Sequence, residues 1–479
     1  MSMKSIPFLV TCAMIGMIAS CSPENLVGDA QLPPDVPDPG QTHTAAGAMQ
    51  SYRGALLLFR VAVAGDERSV VPVTGLLTDE LRSADAGQPG VISDAVKVDS
   101  RFMPEYGGSG EDIITPDLVK RVYSILQRSR GQTHESRGAL MEFVPTGSEG
   151  LQGHLDAMEG YADVYLADLF CSGVPLSTLD FGRDFTYAAG SPTGDVYQRA
   201  IDLFDSAQTL AADSERILDM ARVGKGRALL ALGKYSDAAA AVSSVPDDFQ
   251  YALLYDQSTT PGSNELDVNR SFAYWSFTPF AGSTPTAMVN REGLNGLPFI
   301  SSGDPRSTAI DDGEDNHGIP RVHPAKYSPS GDGAVVIASG IEARLIQAEA
   351  ALNGGGGNWL DLLNALRTDG TFDTEGTDTT WHAGTGGVAG LAPLSDPVDP
   401  DARIDLIFRE RGFWLFLTGT RQGDFRRLIR QYHRQPNRVY PTGPYPGGYN
   451  TYGNDVTAPI PGEERISNLK FTGCQGRGA

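Results

Sequence analysis

Asp401 to Tyr432, DARIDLIFRERGFWLFLTGTRQGDFRRLIRQY, is a helical pair that the remainder of the chain must enclose. From Ile404 to Leu417 the apolar residues, among them Ile407, Phe408, Phe413, Trp414 and Phe416, fall on nearly every face of the implied helix. Such a helix needs packing partners on several sides. Gly419 is suited to the left-handed conformation that ends a helix. Beyond it, Phe425, Leu428, Ile429 and Tyr432 recur at i, i+3, i+4 and i+7, with Arg426, Arg427 and Arg430 opposite. This spacing predicts an ordinary amphipathic helix turned back on the first. Burying charge unpaired is costly, so Glu410, Arg411, Arg421 and Asp424 are expected to satisfy one another. Their role on this reading is structural: they hold two helices together.

Outward from that pair, the motifs form an ordered series. Glu410-Arg411 followed by Gly419-x-Arg421-x-x-Asp424 and Arg427 resembles the C-terminal signature of the SusD/RagB family, ERxxELxxEGxRxxDLxR, with Trp414 and Thr418 in place of its two other acidic residues. Leu155 to Leu176 resembles the helix of that family that runs into a Gly-Val-Pro-Leu turn, and Asp304-Pro305-Arg306 its DPR turn. Ile341 to Ala350, the LNALR form within Trp359 to Arg367, and Pro459-Ile460-Pro461 continue the resemblance to the end of the chain. Family members are cell-surface lipoproteins that capture nutrients, often glycans, for a TonB-dependent outer-membrane channel.

Composition sets independent bounds. The 479 residues are 40% hydrophobic, enough for a sizeable core, while 56 Gly and 31 Pro imply long surface loops. A formal charge of -21 argues against nucleic acid and an anionic lipid surface as partners. At the start, Lys4 precedes an apolar stretch from Ile6 to Ile18, so residues 1–20 read as a signal peptide. Ile18-Ala19-Ser20-Cys21 resembles a bacterial lipobox, which implies that Cys21 becomes the mature N-terminus and carries acyl chains such as palmitate. Each buried CH₂ contributes about 0.8 kcal/mol, so two or three chains anchor durably. Ser22, rather than Asp, favours the outer membrane by resemblance to sorted lipoproteins. Residues 21–40, with Pro23, Pro33, Pro34, Pro37 and Pro39, read as an extended tether of at most about 60 Å. With Cys21 acylated, Cys171 and Cys474 are left as an even pair in an oxidising compartment: a disulfide, or two buried thiols.

Helical periodicity organises the rest of 41–479. Helices are expected over Thr44–Ala64, from Thr115-Pro116 past Gly131 with Thr115 as cap, and from Ser148 to an end at Gly173 and Pro175, with a short helical turn at Leu76–Leu81. Over 193–245 the pattern becomes a tetratricopeptide-like repeat, where Gly226 lets two helices approach and Tyr235 fills the hairpin. From Pro246 to Val335 the helical pattern gives way to an irregular region with a few short strands. The expected fold is therefore mainly α: one large helical domain with tetratricopeptide-like helix pairs and long irregular loops.

Catalytic motifs are not found. Gly384 to Ala389 matches a dinucleotide pattern only superficially, with neither the preceding strand nor the following helix, and no Walker loop, HExxH or Gly-x-Ser-x-Gly elbow occurs. No Cys/His spacing suggests zinc; Asp311 to Asn316 could offer oxygens to calcium but reads more plainly as a solvated acidic turn. No cofactor and no catalytic residue is assigned. Sugar binding asks only for exposed rings with polar groups beside them, and the loop aromatics Tyr106, Tyr274, Trp275 and Trp381 are the ligand-binding candidates.

The resemblance implies a surface-facing outer-membrane lipoprotein that takes an oligosaccharide or other nutrient and passes it to a SusC-like TonB-dependent transporter. Its helices would dock on the channel, and loops 85–111, 246–335 and 369–400 would face the ligand. Two other readings fit the residues: a tetratricopeptide-like surface or periplasmic adaptor for proteins, and a lipid-anchored glycan hydrolase.

Overall fold

The computed structural model describes residues 43–65, 68–83, 93–103, 115–181, 185–255, 295–307, 309–314, 320–324, 334–368, 390–445 and 451–479. Helix α1 (Ala45–Ala64) begins where the Thr44 side chain accepts the Gly47 amide at 3.0 Å. Helix α2 (Val70–Leu77) replaces the expected turn at 76–81. All eight of its residues are buried, so it has no polar face and no periodicity to betray it. Helix α3 (Asp94–Asp99) is followed by α4 (Asp117–Phe143), which runs unbroken through Gly131. Thr115 does not cap α4; Pro116 holds the boundary position without a side-chain bond.

Helix α5 (Glu149–Leu169) lies at the centre, packed against α1, α4, α6 (Thr193–Leu210) and α7 (Glu215–Ala231). Every residue from Gln152 to Leu169 is buried. It stops four residues before Gly173, with Phe170 already extended. Its four buried acidic residues, Asp156, Glu159, Asp163 and Asp168, each meet a partner. Asp156 pairs with Arg137 at 2.9 Å and accepts from Ser206 at 2.6 Å; Glu159 and Asp163 both take Arg199; Asp168 accepts the Tyr197 hydroxyl at 2.5 Å. Burial pushes the Asp156 carboxyl up to about 6, against the pull of Ser206 and Arg137.

The repeat at 193–245 consists of α6, α7 and α8 (Tyr235–Ala241). A Cβ on Gly226 would stand 2.6 Å from Val242, so only glycine allows α7 and α8 this approach. Arg227 of α7 makes a two-pronged pair with Glu342 at 2.8 and 2.7 Å, on α9 (Gly340–Leu352). Strands are short and paired antiparallel: β1 (Val174–Pro175) with β4 (Gly190–Ser191), β2 (Thr178–Leu179) with β3 (Phe185–Thr186), β5 (Gln250–Leu253) with β8 (Val335–Ser339), and β6 (Ala309–Glu314) with β7 (Pro320–Pro324). The mainly helical expectation holds. Among the described residues no helix is long and apolar enough to cross a membrane.

The C-terminal pair is α11 (Pro400–Trp414) and α12 (Arg421–Arg430), preceded by α10 (Trp359–Thr368) and followed by α13 (Pro436–Val439) and α14 (Glu463–Ser467). Trp414 is 2% exposed, as its many-sided apolar helix requires. The helix ends at Trp414 rather than at Gly419, and Leu417 and Gly419 take φ of 53° and 79° in the turn. Arg411 and Asp424 pair as expected, at 2.9 and 3.0 Å. Glu410 and Arg421 do not join them: Glu410 takes Arg306 at 2.6 Å and Arg367 at 2.9 Å, and Arg421 takes Asp79 at 2.8 Å. Helix α12 is also no ordinary amphipathic helix. Arg426 and Arg427, expected on its solvent side, are 1% and 2% exposed. Arg427 grips Glu349 at 3.0 and 2.9 Å and Asp424 at 2.8 Å, while Arg426 reaches the carbonyls of Ala167, Asp168 and Phe170 at the end of α5.

Glu349→Ala leaves Arg427, and Arg411 at 3.6 Å, short of a buried counter-charge. Urea unfolding should show a loss of about 3–5 kcal/mol. The more exposed Asp205 partner of Lys225 should cost only about 0–1 kcal/mol when changed to Ala. His154 lies buried between Tyr52 of α1, 2.8 Å away, and Tyr251 of β5, 2.5 Å away. Burial, and secondarily Arg216, hold its pKa near 4 instead of 6.5. A depressed folded pKa gives stability that is complete above pH 6.5 and lost as pH falls toward 4. Over that window wild type should lose up to about 3 kcal/mol more than His154→Gln, measured by denaturant titration at each pH.

Candidate functional site

A cleft of about 670 Å³ opens on the outer face of α4, between the hairpin that carries β2 and β3 and the turn at Pro461–Ser467. Its long wall is built by helical spacing: Arg121, Ser124, Arg128, Gly131 and Glu135 follow one another along a stripe of α4 that faces away from α5. Phe185 and Tyr187, two apart on an extended segment, project from the same side and meet edge to face at 4.8 Å and 70°. They are 49% and 41% exposed, and so present an apolar corner to solvent.

The end of the cleft is fixed by hydrogen bonds. Lys120 pairs with Glu463 at 2.5 Å, and the Tyr123 hydroxyl donates to Glu464 at 3.1 Å. Burial, with the charge of Glu464 beside it, pushes the Tyr123 phenol well above its ordinary pKa, which keeps it a donor. Gln127 donates to the Pro175 carbonyl at 2.9 Å, and Arg130 reaches the Ser177 carbonyl, tying the hairpin to α4. Behind that wall, Arg130, His134, Glu159, Asp163 and Arg199 form a charge cluster. Burial raises Asp163, whereas for Glu159 the hydrogen bond from His134 and the charges of Arg199 and Arg130 outweigh burial and hold it low.

The hairpin base is secured from the far end of the chain. Cys171 and Cys474 form a disulfide with Cα atoms 5.8 Å apart. The Ser172 amide donates to Gly476 at 3.0 Å, that of Gln475 to Ser172 at 2.7 Å, and the Gln475 side chain to Gly190 at 2.9 Å.

Of the ligand-binding candidates read from sequence, Tyr106, Tyr274, Trp275 and Trp381 lie outside the described residues, as do Cys21, the 1–40 segment and the side chains of the acidic run at 311–316. The rings brought together here, Phe185 and Tyr187, are not among those candidates. The alternation Phe185-Thr186-Tyr187 in a short Gly-rich segment was the signal available for them. Among the described residues, no three His, Cys, Asp or Glu side chains are grouped so as to hold a metal ion.

No protein-family model matches the chain, and no curated protein is similar to it in sequence. Solved structures share its fold. A SusD superfamily protein from Parabacteroides distasonis superposes with a TM-score of 0.60 at 14% identity, over 90% of this chain and 99% of its own. A SusD-like carbohydrate binding protein from Bacteroides vulgatus gives 0.59 at 13% identity, over 90% and 97%. NanU of B. fragilis gives 0.55 at 13% identity, over 94% and 100%. The chain thus has the SusD-like fold, which agrees with the resemblance in its motifs.

The disulfide closes a loop of about 300 residues, so its reduction should lower stability by about 3–5 kcal/mol. Thermal unfolding with and without dithiothreitol measures this. A non-reducing peptide map should contain the Cys171–Cys474 cross-linked fragment.

Proposed function

We propose that this protein is a cell-surface lipoprotein that binds an oligosaccharide and passes it to a TonB-dependent outer-membrane transporter. The observation that carries the proposal is the SusD-like fold over nine-tenths of the chain, shared with a structure described as a carbohydrate binding protein. The sequence supports the setting: a lipobox ending at Cys21, a Pro-rich tether at 21–40, and then the body at 41–479. Acylated Cys21 would hold that body against the outer face of the outer membrane, where the tether leaves it free to sit over a channel. Its task on this reading is capture and release rather than turnover, which calls for rings and hydrogen-bonding groups and for no catalytic pair.

The full chain expressed in a Gram-negative host should incorporate an alkyne analogue of palmitate and fractionate with outer membranes; Cys21→Ser should lose both. Affinity purification of the acylated protein should bring down a β-barrel partner, and a glycan array should show saccharide binding without release of shorter products. A chain that is acylated but hydrolyses the glycan, or that enriches soluble proteins and no barrel, would overturn the proposal.

A further inference from the structure

We propose that the cleft between α4, the β2–β3 hairpin and the Pro461–Ser467 turn is a saccharide-binding site, where a pyranose ring seats against the Phe185–Tyr187 corner and over the bare backbone at Gly131. The inference rests on the capture reading above and deepens it by assigning a place on the molecule.

Three observations converge on this cleft. The first is the pair of exposed rings. Most large aromatic side chains of the described residues are buried in the core, whereas Phe185 and Tyr187 stand 49% and 41% exposed at the cleft mouth. Two rings inclined at 70° offer one face to lie under the C–H side of a sugar and one edge to bound it.

The second is Gly131, inside the 27-residue helix α4, where glycine weakens the helix. Nothing in the fold asks for it: its φ is not among the positive ones, and a Cβ added there meets no atom within 4 Å. Gly131 lines the cleft, so the missing side chain leaves the space above the helix open to a ligand.

The third is a set of polar groups along the same stripe. Ser124, Arg121 and Arg128 line the cleft and have no hydrogen bond or ion pair among the described residues; half-buried Glu135 stands one turn beyond Gly131 with its pKa raised by burial. Two guanidinium groups, a hydroxyl and a carboxyl supply both donors and acceptors for sugar hydroxyls. At about 670 Å³ the cleft is of the size that takes a small oligosaccharide rather than a single ion.

The test uses the full chain in detergent, a glycan array to find a binding saccharide, and titration calorimetry with that saccharide. Phe185→Ala/Tyr187→Ala should weaken binding by about tenfold or more. Gly131→Leu should abolish binding while the thermal midpoint stays unchanged or rises, because leucine favours the helix and fills only the cleft. Saturation-transfer NMR should show the sugar protons receiving magnetisation from aromatic protons in wild type, with that transfer lost in the double variant. If wild type binds a saccharide and both variants bind it equally well, the cleft is not the site, although capture stands. If wild type binds no saccharide on the array, the capture reading fails and the assignment of this cleft fails with it.

Discussion

Arginine buried against carboxylate is the interaction on which this structure depends. Removing a guanidinium from water is costly, and the cost is offset only when its planar fork of donors is met by a carboxylate or by carbonyls held in place. Arg411, Arg421, Arg426 and Arg427 all lie within the α11–α12 pair and all are nearly inaccessible. Apart from Asp424 within the pair, their partners come from distant parts of the chain: Asp79 after α2, the last carbonyls of α5, and Glu349 of α9. Apolar burial could bring these segments together in many arrangements. Few of those would place a partner in front of each of these four guanidinium groups, so the charges select among the ways the apolar surfaces could meet.

The same logic extends to α5 and from there to the surface. Helix α5 is buried on all sides, and its acidic residues bind it to α4 and α6 through Arg137 and Arg199. Arg130 leaves that charge cluster to hold the Ser177 carbonyl of the hairpin. The wall of the cleft is therefore attached to a helix buried from Gln152 to Leu169, and its exposed rings stand on a rigid support. A site that orders little on binding loses little conformational entropy there.

Much of this architecture was legible in the sequence, and the failures have a common cause. Periodicity located α1, α4, the repeat at 193–245 and the C-terminal pair because each shows an apolar stripe at helical spacing. It missed α2, which is apolar on every side, and it misread α12, whose arginines look solvent-facing by pattern but lie against Glu349, Asp424 and the end of α5. Charge pairing was foreseen for Arg411 and Asp424, thirteen residues apart, and not for Arg421 and Asp79, which are separated by more than three hundred positions. Pattern reports which residues seek burial; which partner each one finds is decided by topology. The aromatic residues show a related difference in what a sequence makes visible. Tyr106, Tyr274, Trp275 and Trp381 stood out as rings in long loops, whereas Phe185 and Tyr187 became conspicuous only once a hairpin aligned them beside Gly131.

The covalent link between Cys171 and Cys474 spans 303 positions, so it joins the residues just after α5 to a segment that follows α14. A polypeptide leaves the ribosome from its first residue to its last. The helices through α8 can therefore associate while the segment that clamps the hairpin base is still unmade. Completion of the cleft waits for the segment from Pro461 to Cys474 to arrive, and only then does this face of the molecule acquire its finished shape.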